Sequence, residues 1–298
     1  MKTILRQRSD KARHNDVLAF LPHELIAFAL PARRTTEMTW TRRNGEYTFT
    51  VSAGTIMDSS GRTITELPSG KYARAALLFL CTEAKLTGKA TLNIAGGFRA
   101  VVRDFGMEWQ GIERGREAIR QLMLVSAATF TITRQGYDKE TGEEHYQDEA
   151  ARFSQSMDLW TTRHRAEFSD EKASTITLSP MMVEMMDRAV PISMKSWKWL
   201  LANSKSPMAL DVYVWLCGRL YRCDGQVRIS WQQLYDQFGS VAPLKRFKQH
   251  FRDALETAML VYSDAQIRED TGISRTKGFK GFILAPSPDP RDSNVPNE

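Results

Sequence analysis

Cysteine is scarce in this chain, with three residues (Cys81, Cys217 and Cys223) among 298. So odd and scattered a set builds no disulfide framework. Cys217 and Cys223 lack a second pair with which to hold zinc, so reduced thiols in a reducing compartment are expected. Long apolar runs are missing too. The most apolar stretch, Val17 to Leu30, is interrupted by Pro22, His23 and Glu24 and is too short to span a membrane. No small-residue cleavage site follows it, which argues against a signal peptide. The five histidines (His14, His23, His145, His164, His250) are dispersed, without ligand spacing or the paired-His motif of a nicking enzyme. Gly61 to Tyr72 ends in Ser69-Gly70-Lys71 and looks briefly like a phosphate loop. Thr65 replaces its first glycine, and Tyr72 stands where a hydroxyl must hold magnesium. Gly96-Gly97 reads as a turn ahead of a helix. No catalytic residue, metal or cofactor is expected.

Charge is present in modest excess, +6 with a sequence pI near 9.2. That balance favours a polyanionic partner without separating nucleic acid from a membrane surface. An apolar fraction of 42% is enough for real cores, and the length suits two ordinary domains. A soluble, cytoplasmic protein is expected.

The most informative stretch runs from Ile229 to Tyr262. It reads as a short helix, a turn and a longer helix on which Leu244, Phe247, Phe251, Ala254, Leu255 and Ala258 share one face. Lys245, Arg246, Gln249 and Arg252 fall on the opposite side, with Lys248 at its flank. A solvated charged face is the bland alternative. Clustering of the basic residues in the N-terminal half of the helix favours DNA, because that half reaches base edges in helix-turn-helix proteins. Arg246 or Gln249 is expected to read a base, and Lys245, Lys248 and Arg252 to neutralise phosphate.

Around this unit the pattern suggests two similar halves and an α+β, mainly helical fold of tandem winged-helix domains. Residues 1–30 form a basic arm (Lys2, Arg6, Arg8, Lys11, Arg13) and an apolar segment. Residues 31–166 form a first domain. Strands are expected at Tyr47 to Val51, Thr63 to Glu66, Ala90 to Ile94 and Thr129 to Arg134, and helices at Lys71 to Thr87, Phe98 to Phe105 and Glu113 to Ala128. Gln135 to Gln147 reads as a polar loop, with Phe153 to Trp160 returning to pair with Thr129 to Arg134. Residues 167–285 repeat the order, from a strand at Thr175 to Leu178 to a wing bearing Arg268, Arg275, Lys277 and Lys280. Residues 286–298 read as a disordered tail. In the first half, Arg116 and Arg120 share the outer helix face with Glu113 and Glu117, and helix-internal ion pairs are the simpler explanation there. Sequence readout is therefore assigned to the second half, with backbone or dimer contacts left to the first.

Several blocks support a family resemblance. Ala209 to Arg219 (ALDVYVWLCGR), Ile229-Ser230-Trp231, Gln237-Phe238-Gly239 and Arg246-Phe247-Lys248 resemble the plasmid-encoded RepA-type replication initiators. Ala73-Arg74-Ala75, Leu77 to Leu80, Thr82-Glu83-Ala84 and the Arg43-Asn44-Gly45 turn agree. The resemblance spans roughly Leu21 to Pro286 and departs from the pattern at Gly218 and at Gly96-Gly97. It implies binding to direct repeats (iterons) in double-stranded origin DNA, opening of the adjacent duplex, and repression of the protein's own promoter. It also implies a homodimer in equilibrium with monomer, and the host initiator ATPase and replicative helicase as partners. Two rivals remain on the sequence alone: a winged-helix transcriptional repressor without a replication role, and a DNA nickase. A protein-interaction scaffold without DNA affinity ranks behind both.

Overall fold

Threonine alternating with apolar residues builds the four-stranded sheet, the largest among the described residues. The structure, a computed structural model, describes residues 18–27, 29–58, 60–94, 112–138, 140–161, 172–220, 223–239, 242–272, 278–290 and 295–296. The described chain enters through β1 (Leu18–Pro22) and the single turn α1 (His23–Ile26). The hairpin β2 (Thr39–Asn44) and β3 (Tyr47–Ser52) follows, and then a smaller hairpin of β4 (Gly54–Met57) and β5 (Thr63–Glu66). β2 and β3 join β7 (Thr129–Tyr137) and β8 (Glu144–Arg152) in the order β2-β3-β7-β8. Strand period and register place Trp40, Arg42, Asn44, Phe49, Val51, Phe130 and Ile132 on one face, and Thr41, Thr48, Thr50, Thr131 and Thr133 on the other.

The helix α2 (Gly70–Thr87) is rich in Ala and Leu and is buried on all sides from Ala73 to Ala84, so it forms the axis of the first half. Gly88 ends it in the left-handed region at φ 64°, where its N–H reaches the Ala84 carbonyl. β6 (Thr91–Asn93) leads toward α3 (Ile112–Ala127). The helix expected at Phe98 to Phe105 and the glycines Gly96-Gly97 lie outside the described residues, as does the basic arm.

Two expectations for this half are corrected. Gln135 to Gln147 is not a loop, since the chain stays extended through β7 and returns along β8, with pairs from Thr129↔Arg152 to Tyr137↔Glu144. The segment after it, β9 (Ser154–Asp158), does not return to β7. It pairs instead with β10 (Thr175–Leu178), which in turn pairs with β6. The expected boundary between residues 166 and 167 therefore falls inside a sheet, and β10 completes the first half. A single residue, Ser179, separates β10 from the next helix, α4 (Pro180–Met185), and its N–H donates to the Phe153 carbonyl at 3.1 Å.

After one 3₁₀ turn come β11 (Ala189–Ser193), α5 (Met194–Asn203) and the apolar α6 (Met208–Leu220), buried along almost its whole length. β12 (Val227–Ser230), α7 (Trp231–Phe238), α8 (Leu244–Met259), β13 (Ile267–Asp270) and β14 (Gly281–Leu284) complete the chain. The sheet order β12-β14-β13 repeats the order β6-β10-β9 of the first half. The two halves thus share strand order, and β7–β8 is an extra hairpin between α3 and β9. Helix is the larger share and strand a substantial one, so the fold is mixed α/β.

One continuous core runs through both halves. β1 pairs with β11, from Leu18↔Ser193 to Pro22↔Ala189, and so ties the start of the described chain to the second half. The apolar segment before residue 30 is therefore part of the core. Lys71 on α2 donates to the carbonyls of Leu201 (2.8 Å) and Ser204 (2.6 Å), closing the C-terminus of α5, and burial lowers its pKa. The tail is held where it is described, in contrast to the disorder expected of it. Tyr262 Oη donates to the Pro288 carbonyl at 2.6 Å, and Val295 is buried. Among the described residues, no helix is long and apolar enough to cross a membrane.

Candidate nucleic-acid interface

The Ser230-x-x-Gln233 spacing makes a capping box at the start of α7. Gln233 N–H donates to Ser230 Oγ (3.2 Å), and Ser230 N–H donates to Gln233 Oε1 (2.8 Å). The next helix, α8, is anchored by Phe247 and Phe251, both fully buried. Trp231 receives them edge-on, with centroids 6.5 Å and 5.8 Å away, and meets Phe282 of β14 at 5.0 Å. Tyr235 packs on Phe247 at 5.3 Å. This cluster of rings fixes α8 against both α7 and the sheet, so the direction of its opposite face is set by the core.

Lys245, Arg246 and Gln249 are exposed on that face, as expected. Gln249 Nε2 donates to Asp253 Oδ1 at 2.7 Å, so reading a base with that nitrogen requires exchange of this contact. Lys248 is half-buried, its ammonium 5.5 Å from the Trp231 ring.

Arg252 is paired within the protein. Its guanidinium forms a two-pronged pair with Glu269 of β13, Nε to Oε2 at 2.9 Å and Nη2 to Oε1 at 2.8 Å, and lies 5.0 Å from the Trp231 ring. Those hydrogen bonds hold the Glu269 carboxyl below the usual carboxylate range, with burial opposing. Arg252 therefore fastens α8 to the first strand of the wing, and a phosphate there would share the guanidinium with Glu269.

In the wing, Lys280 is exposed while its carbonyl accepts the Trp231 N–H at 3.2 Å, so the base of the wing is pinned to the start of α7. Arg268 is exposed on β13. Arg275 and Lys277 lie outside the described residues. Arg228 on β12 is exposed beside this surface, 5.9 Å from the Phe279 ring. Periodicity does not single it out, because a lone arginine in a four-residue strand carries no period.

In the first half Arg116 is exposed on α3. Arg120 donates to Glu66 of β5 and to Glu117 at 3.3 Å, and Glu66 also accepts from Arg34. Pairing within the helix was expected, whereas the Glu66 contact is new. α3 thus exposes Arg114 and Arg116 in its first turns, beside an exposed Glu113, where α8 exposes Lys245 and Arg246. Among the described residues there is no group of three or more His, Cys, Asp or Glu placed to hold a metal ion.

Comparison with solved structures gives one consistent result. The chain has the fold of RctB domains 2 and 3. A crystal structure of the selenomethionine derivatives of those domains matches with a TM-score of 0.55, 9% identity, and coverage of 89% of this chain and 97% of that one. A second structure of RctB domains 2-3 matches with a TM-score of 0.50, again 9% identity, and coverage of 88% and 96%. No family model and no curated protein sequence matches the chain.

Proposed function

We propose that the protein is a replication initiator that binds origin double-stranded DNA sequence-specifically, through tandem winged helices. The observation that carries this reading is the exposed row Lys245, Arg246 and Gln249. It lies on a helix whose other face is locked into the core and whose neighbouring strand pair exposes Arg268 and Lys280. The shared fold with domains 2 and 3 of RctB, a replication initiator, supports the initiator role. The repeated order of the two three-stranded sheets supports the tandem.

In this reading α8 lies in the major groove. Lys245, Lys248 and Lys280 displace counterions from phosphates, and Arg246 and Gln249 choose the site. The first half adds backbone contacts through Arg116. Contact over two successive grooves strains the duplex and assists its opening. The RepA-type resemblance supports the finer statements: direct repeats as the target, a plasmid origin, repression of the protein's own promoter, a dimer in balance with monomer, and recruitment of the host initiator ATPase and helicase. No catalytic step of its own is proposed.

Footprinting the purified protein on the DNA upstream of its gene is the direct test, and protection of repeated sites is expected. A plasmid carrying only this gene and those repeats replicates if the initiator reading holds. Protection without replication indicates a repressor, and no protection on any duplex removes the DNA reading.

A further inference from the structure

Resting on the DNA-binding reading above, we propose that β2 of the first half positions the reading helix of the second. The protein then measures the distance between its two half-sites as well as their sequence. The key side chains are Arg42 and Asn44, which the register places on the inward face of β2. They meet α7, not the DNA.

Asn44 Oδ1 accepts from Gln237 Nε2 (3.1 Å) and from Arg219 Nη2 (3.3 Å). Gln237, buried at the end of α7, accepts from Trp215 Nε1 (3.2 Å) through its Oε1. Trp215 in turn stands edge-on to Phe251 of α8 at 6.3 Å. A chain of polar and aromatic contacts thus runs from the first-half sheet to the core side of the reading helix.

Arg42 makes the second contact. Its guanidinium lies 3.7 Å from the Trp40 ring centroid, and Trp40 is itself anchored by Nε1 donating to the Ala29 carbonyl at 2.8 Å. Burial lowers the Arg42 pKa to about 10, so it stays charged at neutral pH. It abuts Gly239, the residue that ends α7 at φ 50°, and a Cβ there would lie 2.0 Å from Arg42 Cζ. The positive φ favours glycine at 239, and any side chain there would displace the Arg42 guanidinium. Arg42 thus packs where the chain leaves α7 for α8.

Among the described residues, strand pairing and packing hold the halves against sliding. They are joined through Ser179 alone between β10 and α4, and are crossed by β1–β11 pairing and one shared core. Inserting two base pairs between half-sites shifts one by about 7 Å along the duplex and rotates it by about 70°. A flexible linker of ten residues spans roughly 17 Å and absorbs that shift. A rigid pair does not.

The test has two arms on the wild-type fold. In the first, spin labels on Glu113→Cys of α3 and Glu256→Cys of α8, both exposed, are measured without DNA by pulsed electron resonance in a Cys223→Ser background. One narrow distance distribution is expected, and a broad or two-peaked one overturns the inference whatever the DNA result. In the second, affinity is measured on duplexes with two base pairs inserted or deleted between half-sites. A loss of at least about tenfold is expected against the native spacing. Equal affinity at all spacings overturns the inference while leaving DNA binding intact, whereas absence of binding to any duplex overturns both. With Arg42→Ala plus Asn44→Ala the distance distribution is expected to broaden and the spacing penalty to fall below about threefold. A folded double variant that keeps both the narrow distribution and the full penalty removes β2 from the positioning role.

Discussion

Arg74 and Asp211, 137 residues apart, form a buried two-pronged ion pair with both N···O distances 2.6 Å. Arg74 sits on the central helix of the first half and Asp211 on α6 of the second. The guanidinium also donates to the carbonyls of Leu30, Pro31 and Gly70, so its hydrogens are spent on the junction. Removing one partner leaves a charge in a dry site, which costs about 3–5 kcal/mol. Arg74→Leu is therefore expected to lower stability by that amount in urea unfolding. The double change Arg74→Leu plus Asp211→Leu should cost less than the sum of the singles.

On α8 the side chains divide by task. Arg246→Ala plus Gln249→Ala is expected to relax site choice, with about 1–3 kcal/mol less discrimination per contacted base. Lys245→Ala should weaken every duplex alike and reduce the salt slope by about one ion. Titrations at several salt concentrations on cognate and scrambled DNA separate the two effects. If all three substitutions leave cognate binding unchanged, α8 is not the reading helix.

Arg252 and Glu269 give a pH dependence with a definite sign. The folded-state carboxyl is held below its ordinary value, so the pair adds stability that is present above the unfolded pKa of Glu269. It is lost as pH falls through the folded value, in the region below about pH 4. Glu269→Gln should flatten that part of the stability profile, and amide exchange in β13 should accelerate in the variant at neutral pH.

The ring cluster beneath α8 sets a larger cost. Phe251 is fully buried between Trp215, Trp231, Phe238 and Phe282. Phe251→Ala is expected to destabilise by about 3–5 kcal/mol in denaturant titration, and to weaken DNA binding indirectly at temperatures where the helix loosens.

Thiol chemistry offers a quick check of packing. Cys81 and Cys217 are fully buried and their thiols are pushed upward by that burial, whereas Cys223 is only half-buried. Native protein should react with a thiol reagent at one position near neutral pH, and at three after unfolding.

How much of this was legible in the sequence differs between elements. α8 was readable because Phe247, Phe251, Ala254 and Ala258 recur at helical spacing and the opposite side is uniformly polar. β8 was not: its residues from Glu144 to Ala150 are all exposed, so no alternation marks the strand. The pairing of β10 with β6 joins residues more than eighty positions apart, and no local pattern encodes such a partner. The pairing of Arg252 was hidden for a related reason. Its carboxylate lies 17 residues away on a strand, and helical spacing reports only partners within one helix.

β1 has a consequence for how the molecule descends and recombines. Its five residues precede every other described element, yet their strand partner, β11, arrives about 170 positions later. Expressed from residue 179 onward, the second half would bare an unmatched strand edge next to Val190 and Ile192, which are now sealed. Neither portion is an interchangeable cassette, so lineages carrying this architecture are expected to inherit it whole.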